Sequence, residues 1–332
     1  MQPSTTPCDP LVLAALRDRA GAKNELSFAE FMEVALYAPG IGYYRKNRKR
    51  IGYGAETDFL TATTSAPLFG RLVSAACAEL LGGAALSGYN FVEIGAEPGS
   101  GILSEASHPF RSVRQLGIGD PLKIEGPSVV FSNELFDAQP FRRFRRRAGA
   151  WREIGVNVAG GGLCEVELEA AGLPQLPEAA PEGYALDAPV GAADLAGLIA
   201  GQPWEGLFLA FDYGKSWEEI AFATPAGTAR SYRRHAQGND LLANAGDRDL
   251  TCHVCWDWLK GVLLGRGFGE PRLESQEAFF AIHCGAVIEE LTASDASRLS
   301  RDKLSLLQLI HAAHMGQRFQ ALWAVRQGGA AP

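Results

Sequence analysis

Four short stretches of the 332-residue sequence carry residue types that could do chemistry. Ser132-Asn133-Glu134-Leu135-Phe136-Asp137-Ala138-Gln139-Pro140 closes an apolar run and releases three polar groups together. Asn133, Glu134 and Asp137 could orient a nucleophile or take its proton. The same residues would equally serve as the cap and acidic first turn of a helix. Glu93-Ile94-Gly95-Ala96-Glu97-Pro98-Gly99-Ser100-Gly101 closes another apolar run. A glycine-rich turn between strand and helix lets backbone N–H groups approach a ligand and aims a helix N-terminus at negative charge. A tight turn with no ligand has the same pattern. Asp212-Tyr213-Gly214 is a third polar strand end. The fourth stretch runs from 227 to 235 and on to 249–254, where Arg230, His235 and His253 stand with tyrosine and aspartate in a long connection. Loops of such length are commonly functional or mobile.

Two further patterns carry less. Cys252-His253-Val254-Cys255 has a spacing that suits zinc or redox chemistry, but no second ligand pair stands at finger-like spacing, so no metal site is expected. Arg142, Arg143, Arg145, Arg146 and Arg147 resemble a nucleic-acid patch. They alternate with Phe141 and Phe144, and a solvated strand face is the expected reading.

The elements that must position these groups are short and continuous. Residues 91–95, 112–119, 128–132 and 207–212 are expected as strands, and uninterrupted apolar runs suit a parallel sheet covered on both faces. The polar groups leave the C-terminal ends of such strands, the edge at which open α/β sheets bind ligands. Before them, Phe28, Phe31, Met32, Ala35 and Leu36 recur at helical spacing behind a Ser27 cap, and Pro39, Gly40 and Gly42 stop that helix. A second helix is expected over 66–81, a two-stranded hairpin over 141–169, a surface loop over 171–183, a helix over 295–314 and a last strand around 319–325. The domain reading is an N-terminal helical segment, 1–85, and a core, 86–332, with insertions at about 141–205 and 215–285.

Lys and Arg number 31 and Asp and Glu 38, giving a net charge of −7. That balance does not suit a nucleic-acid binder, whose affinity rests on a basic stripe. The N-terminal residues lack the basic and apolar regions of a signal peptide, and no run approaches the roughly 18 apolar residues of a membrane span. Six scattered cysteines suit a reducing, cytoplasmic compartment. No feature sets an oligomeric state.

Further stretches join the motifs in order: Ser27-Phe28-Ala29-Glu30-Phe31-Met32, Leu36-Tyr37-Ala38-Pro39, Gly42-Tyr43-Tyr44, Asp58-Phe59-Leu60-Thr61-Ala62, Pro67-Leu68-Phe69-Gly70, Asp249-Leu250-Thr251 with His253, and Met315-Gly316-Gln317-Arg318-Phe319. On these residues the chain resembles the MidA-like S-adenosylmethionine-dependent methyltransferases, from about residue 26 to residue 325. That family includes a mitochondrial complex I assembly methyltransferase acting on a protein arginine. The resemblance implies an α/β fold with a Rossmann-like class I methyltransferase sheet, an N-terminal helical part and an inserted hairpin and loops. It implies S-adenosylmethionine as cofactor, with Glu93, Gly95, Gly99 and Gly101 at the methionine end and Asp120 at the adenine. It makes Asn133, Glu134 and Asp137 the catalytic residues facing the methyl group. It puts Asp58, Asp212, Arg230, His235 and His253 around the substrate or in the closure of the site. The partner implied is a protein substrate or an assembly partner, with no nucleic acid and no membrane. Methyl transfer needs an in-line approach and a desolvated nucleophile more than acid–base power. For a guanidinium acceptor, Glu134 and Asp137 would hold it by charge-assisted bonds.

Three departures bear on that reading. The family's turn reads Gly-Pro-Gly-x-Gly. Here either Glu97 replaces the middle glycine or Ala96-Glu97 is an insertion, which better restores Pro98-Gly99-Ser100-Gly101. Either way a carboxylate comes near the cofactor's own, and like charges ~4 Å apart repel by about 4 kcal/mol at an effective dielectric of ~20. Second, the family's turn is followed by a helix and a strand ending in a ribose-binding acid. The short 101–113 interval suggests that this unit is missing and that the 113 strand leads to the later, adenine-side loop at Asp120. Third, the family's Pro-Glu is Thr63-Thr64. The retained acceptor-side groups support an active methyltransferase acting on a protein side chain such as arginine. The altered turn supports a catalytically degenerate methyltransferase-fold protein acting as a binding or assembly factor.

Overall fold

The continuous apolar runs become the buried strands of one sheet. The computed structural model describes residues 6–48, 50–52, 54, 57–59, 61–97, 99–104, 107–169, 176–293, 300–312 and 314–328. Compactness divides the chain into two units, one of 60–135, 196–214 and 258–332, the other of 1–59, 136–195 and 215–257.

The first unit holds a six-stranded sheet in the order Arg272–Ser275, Gln320–Arg326, Trp204–Asp212, Gly126–Asn133, Asn90–Ile94, Ser112–Leu116. Asn90–Ile94 is parallel to both its neighbours, and Gly126–Asn133 is parallel to Trp204–Asp212. Gln320–Arg326 runs antiparallel to the strands beside it. Phe91, Val129, Phe131, Leu207, Leu209 and Phe211 are fully buried, as strands covered on both faces must be. The helix Leu68–Leu80 sets Phe69 edge-on to Phe131 and Phe211, and Phe280 of Gln276–His283 stacks on Phe211 at 5.6 Å.

The register of this sheet corrects the strand assignment drawn from the resemblance. Asn90↔Ser112 through Ile94↔Leu116 pair in parallel, so Ser112–Leu116 lies directly beside the strand that leads into the glycine-rich turn. The connection over 95–111 is long enough for a crossover to an adjacent parallel strand. Among the described residues Ser112–Leu116 is the sheet edge.

The second unit is antiparallel. Its larger sheet runs Thr6–Pro7, Gly162–Leu168, Ala150–Asn157, Arg142–Arg147, Ala185–Ala188, with Glu25–Ser27 also on Ala150–Asn157. The 141–169 segment is therefore three strands rather than two. Ala148 and Gly149, both at positive φ, form a two-residue turn that the arginine run obscured. Those arginines are met by acids of their own sheet: Arg142 by Glu153 at 2.6 Å, Arg145 by Glu165 at 2.8 Å, Arg147 by Glu167 at 3.2 Å. The helix Phe28–Tyr37 opens on a capping box, Ser27 Oγ accepting from Glu30 N and Glu30 Oε2 from Ser27 N, and buries Phe28, Phe31, Met32, Ala35 and Leu36. The expected long loop after 227 contains a small sheet, Ala236–Gly238, Arg230–Arg233, Asp249–Thr251. Part of the expected 171–183 loop and of the 295–314 helix lies outside the described residues; the described helix there is Arg301–Ile310.

Candidate functional site

In the parallel sheet the chain steps from Asn90–Ile94 outward to Ser112–Leu116, then back across to Gly126–Asn133. The order of strands therefore reverses between Asn90–Ile94 and Gly126–Asn133, and open α/β sheets take ligands at the C-terminal ends of such a pair. On one side stands Gly95 at φ +85, whose N–H donates to Leu116 O at 2.9 Å. A Cβ at Gly95 would lie 2.8 Å from Leu135 Cδ1, so both conformation and space require glycine. On the other side Asn133 Nδ2 donates to Glu134 Oε1 at 3.0 Å, while Asn133 Oδ1 is buried without a hydrogen-bond partner among the described residues. Glu134 adopts φ +52, a conformation that costs a non-glycine residue about 1 kcal/mol or more and is concentrated at functional sites. Its N–H donates to Phe211 O at 2.9 Å, pinning it to the neighbouring strand end. There Asp212 is fully buried and its Oδ1 accepts from Tyr213 N at 2.9 Å.

The glycine-rich turn departs from its expected form. Among the described residues no helix follows it: 99–104 are turn and loop. The helix N-terminus expected to face an anion is therefore replaced by bent chain. Glu93 is buried and its carboxylate reaches across the turn, Oε2 accepting from Ile102 N at 3.0 Å. Burial pushes this carboxyl up to about 7, with the Ile102 N–H opposing. A Cβ at Gly101 would collide with Gln115 Nε2 and Glu93 Oε2, so Gly101 packs against protein. Gly99, at φ +75, has open space around it. Asp120 follows the edge strand, and its Oδ2 accepts from Gly117 N at 2.8 Å, tightening the loop.

The remaining candidates lie in the antiparallel unit. Asp58 is buried and occupied: Oδ2 accepts from Tyr43 Oη at 2.7 Å and Arg48 Nη2 at 2.8 Å, and Oδ1 accepts from Arg234 N at 2.7 Å. His235 N donates to Asp58 O, and its Nε2 stands 3.2 Å from Thr57 Oγ1. Arg234 and His235 both take positive φ, the two-residue turn of a hairpin. The structure thus joins Asp58 and His235, as the anchor and tip of that hairpin.

Asp137 is buried, and its carbonyl accepts from Cys252 N at 2.9 Å. That link draws in Asp249, a residue the motif reading quoted but did not select. Asp249 Oδ1 accepts from Tyr44 Oη at 2.8 Å and Leu250 N at 2.9 Å. Burial, reinforced by the negative charge of Asp137, pushes Asp249 up to about 7. Tyr44 stacks on Tyr37 at 5.6 Å, and Tyr37 Oη donates to Ala138 O at 2.8 Å. Tyr37, Tyr44 and Asp249 all lie in quoted motifs, which was the available signal; nothing local shows that they meet. His253 is half-buried and pushed down to about 4, first by burial and then by the positive charges of Lys215 and Arg230, so it is neutral at neutral pH. Its N–H donates to Thr228 Oγ1 at 3.3 Å, and Arg230 Nη1 to Ala229 O at 2.6 Å, so the two share one turn. Among the described residues no three His, Cys, Asp or Glu side chains group to hold a metal ion.

Residues 115–268 match a family model described as S-adenosyl-L-methionine-dependent methyltransferase. The chain is similar to a Danio rerio protein named protein arginine methyltransferase NDUFAF7, mitochondrial, at 25% identity over 75% of this chain and 71% of that protein. It is similar to the Caenorhabditis elegans homologue of that protein at 22% identity, with 76% and 71% covered. A crystal structure of a Burkholderia thailandensis protein bound to S-adenosyl-homocysteine superposes with TM-score 0.78 at 26% identity, covering 98% of this chain and 96% of that one.

Proposed function

We propose that the chain, similar to S-adenosyl-L-methionine-dependent methyltransferases over residues 115–268 and resembling the MidA-like family of them, methylates a protein side chain and that the acceptor class is arginine. The arginine methyltransferase names of the zebrafish and nematode relatives support that class. One observation carries the site: Glu134 is held at positive φ beside a buried, unsatisfied Asn133 Oδ1, across the strand reversal from Gly95. When bound, the cofactor supplies an electrophilic methyl group. Gly95, Gly99 and Asn133 are assigned to its methionine end. Asp120, expected at the adenine, lies in the loop after the strand next to the turn and is reassigned to the ribose.

Glu134 and Asp137 are assigned to the acceptor. A guanidinium that gains a methyl group must shed a proton, and a carboxylate both orients the cation and takes that proton. Asp212 supports the strand end beside Glu134, and Asp58 with His235 hold the hairpin; Arg230 and His253 are assigned to the closure of the site on the resemblance alone. Glu93 and Gly101 shape the turn from within.

The turn without a helix is the observation on the side of a degenerate, non-catalytic protein, and cofactor binding decides between the two. Six free cysteines fit a reducing compartment such as the cytoplasm, and no described helix is long and apolar enough to cross a membrane. The direct test is transfer of labelled methyl from S-adenosylmethionine to protein acceptors. Asp137→Ala is expected to abolish transfer with an unchanged melting curve; transfer at the native rate in that variant removes Asp137 from the mechanism.

A further inference from the structure

We propose that Asp187, which no sequence motif marked, is a positioning residue: it fixes the turn that carries Arg230 and, through Thr228, His253. The inference rests on reading Arg230 and His253 as residues that close the site.

Asp187 lies on the short strand Ala185–Ala188, every residue of which is buried. Its side chain is fully enclosed. Oδ2 accepts from Thr228 N at 2.7 Å and from Ala229 N at 2.8 Å. These are charge-assisted bonds to consecutive amides of a turn. The same strand lines up the turn's beginning: Ala185 N donates to Pro225 O at 2.9 Å, and Ala185 bridges Ala226 in parallel. Gly227 sits at φ +69, where a Cβ would stand 2.4 Å from Asp187 Oδ2. The turn is glycine at the point where the carboxylate presses against it.

Across the sheet Asp187 stands opposite Arg143 in the antiparallel register, with Nη1 3.5 Å from Oδ1. A buried pair of this kind adds little net stability but holds its groups in one arrangement. From the held turn two branches leave. Arg230 folds back, its Nη1 donating to Ala229 O, so its guanidinium is referred to the same backbone. Thr228 Oγ1 accepts from His253 N, which refers the second strand to it. Loss of the carboxylate releases both branches at once.

The test uses the whole chain. In Asp187→Asn, amide hydrogen exchange at Thr228 and Ala229 is expected to quicken at least a hundred-fold, while exchange in Gly126–Asn133 stays as it is. Methyl transfer at saturating cofactor is expected to fall at least ten-fold, with S-adenosyl-homocysteine affinity kept within two-fold. Should Asp187→Asn fail to fold, Thr228→Val tests the second branch: it is expected to shift the imidazole NMR signal of His253 and lower turnover, and Thr228→Ser to restore both. Unchanged exchange at Thr228 and Ala229, or a native His253 signal in Thr228→Val, overturns the inference alone. Native turnover in Arg230→Ala and His253→Ala overturns the reading beneath it, and the inference with it.

Discussion

Two glycine turns in this chain are each built around a buried carboxylate, one per unit. Glu93 faces the 95–102 turn with one described backbone donor, Ile102 N, and burial lifts it to about 7. Asp187 faces the 227–229 turn with two short backbone donors and Arg143 across the sheet. The residue type and depth are alike; the partners differ. A carboxylate with too few donors to offset its desolvation keeps its proton into the neutral range. One with amides and a cation around it becomes a fixed anchor for the turn. The first arrangement ties the expected cofactor turn at one described amide, and the second ties the turn carrying Arg230 and, through Thr228, His253 at two.

The contrast can be broken from the strong side first. Asp187→Ala leaves Arg143 buried with no charge opposite it, and removing one member of a buried pair typically costs about 3–5 kcal/mol. Denaturant melts should show that loss, and a loss under about 1 kcal/mol would mean the pair is not an anchor.

Glu93 should behave oppositely. Its carboxyl rises from 4.5 to about 7 on folding. The folded chain therefore binds more protons than the unfolded chain between those pH values, and stability falls as pH climbs through that window. Glu93→Gln removes the titration while keeping an acceptor for Ile102 N. At pH 8 it is expected to stabilise by about 3 kcal/mol, and at pH 4 to do little. Equal melts of both proteins from pH 4 to 8 would refute the assigned cause.

The glycines give the finest comparison. Gly227→Ala meets both positive φ and the Asp187 contact and is expected to cost about 2 kcal/mol. Gly99→Ala meets only positive φ, with open space around it, and is expected to cost about 1 kcal/mol. The order of the two, measured by urea melts, is the informative quantity.

Much of the sheet was legible because buried parallel strands are continuous apolar runs: 91–94, 128–132 and 207–212 lie on strands, the expected 95 being already in the turn, and Ser27 caps its helix as expected, with Glu30 completing a capping box. The strand Ala185–Ala188 was not legible, since four residues with a central aspartate carry no pattern. The three-stranded 142–168 segment was misread as two because its turn at Ala148-Gly149 follows an arginine run whose acidic partners come from other strands. A helix after the glycine turn, which the strand-to-helix pattern suggests and the short 101–113 interval argues against, is not found among the described residues, where Glu93 accepts from Ile102 N instead. For the site, Asn133 and Glu134 were readable as polar strand ends. The strain at Glu134 and the meeting of Tyr44 with Asp249, 205 residues away, were not. Buried carboxylates are defined by partners distant in sequence, and that is where motif reading stopped.

Under the proposed function, the strand reversal between Gly95 and Asn133 is expected to hold the cofactor although no helix follows its turn among the described residues. Calorimetric titration of the whole chain with S-adenosyl-homocysteine tests it most directly. Saturable binding with micromolar affinity is expected. No heat and no thermal shift at millimolar ligand would contradict it and leave a methyltransferase fold that works without its cofactor.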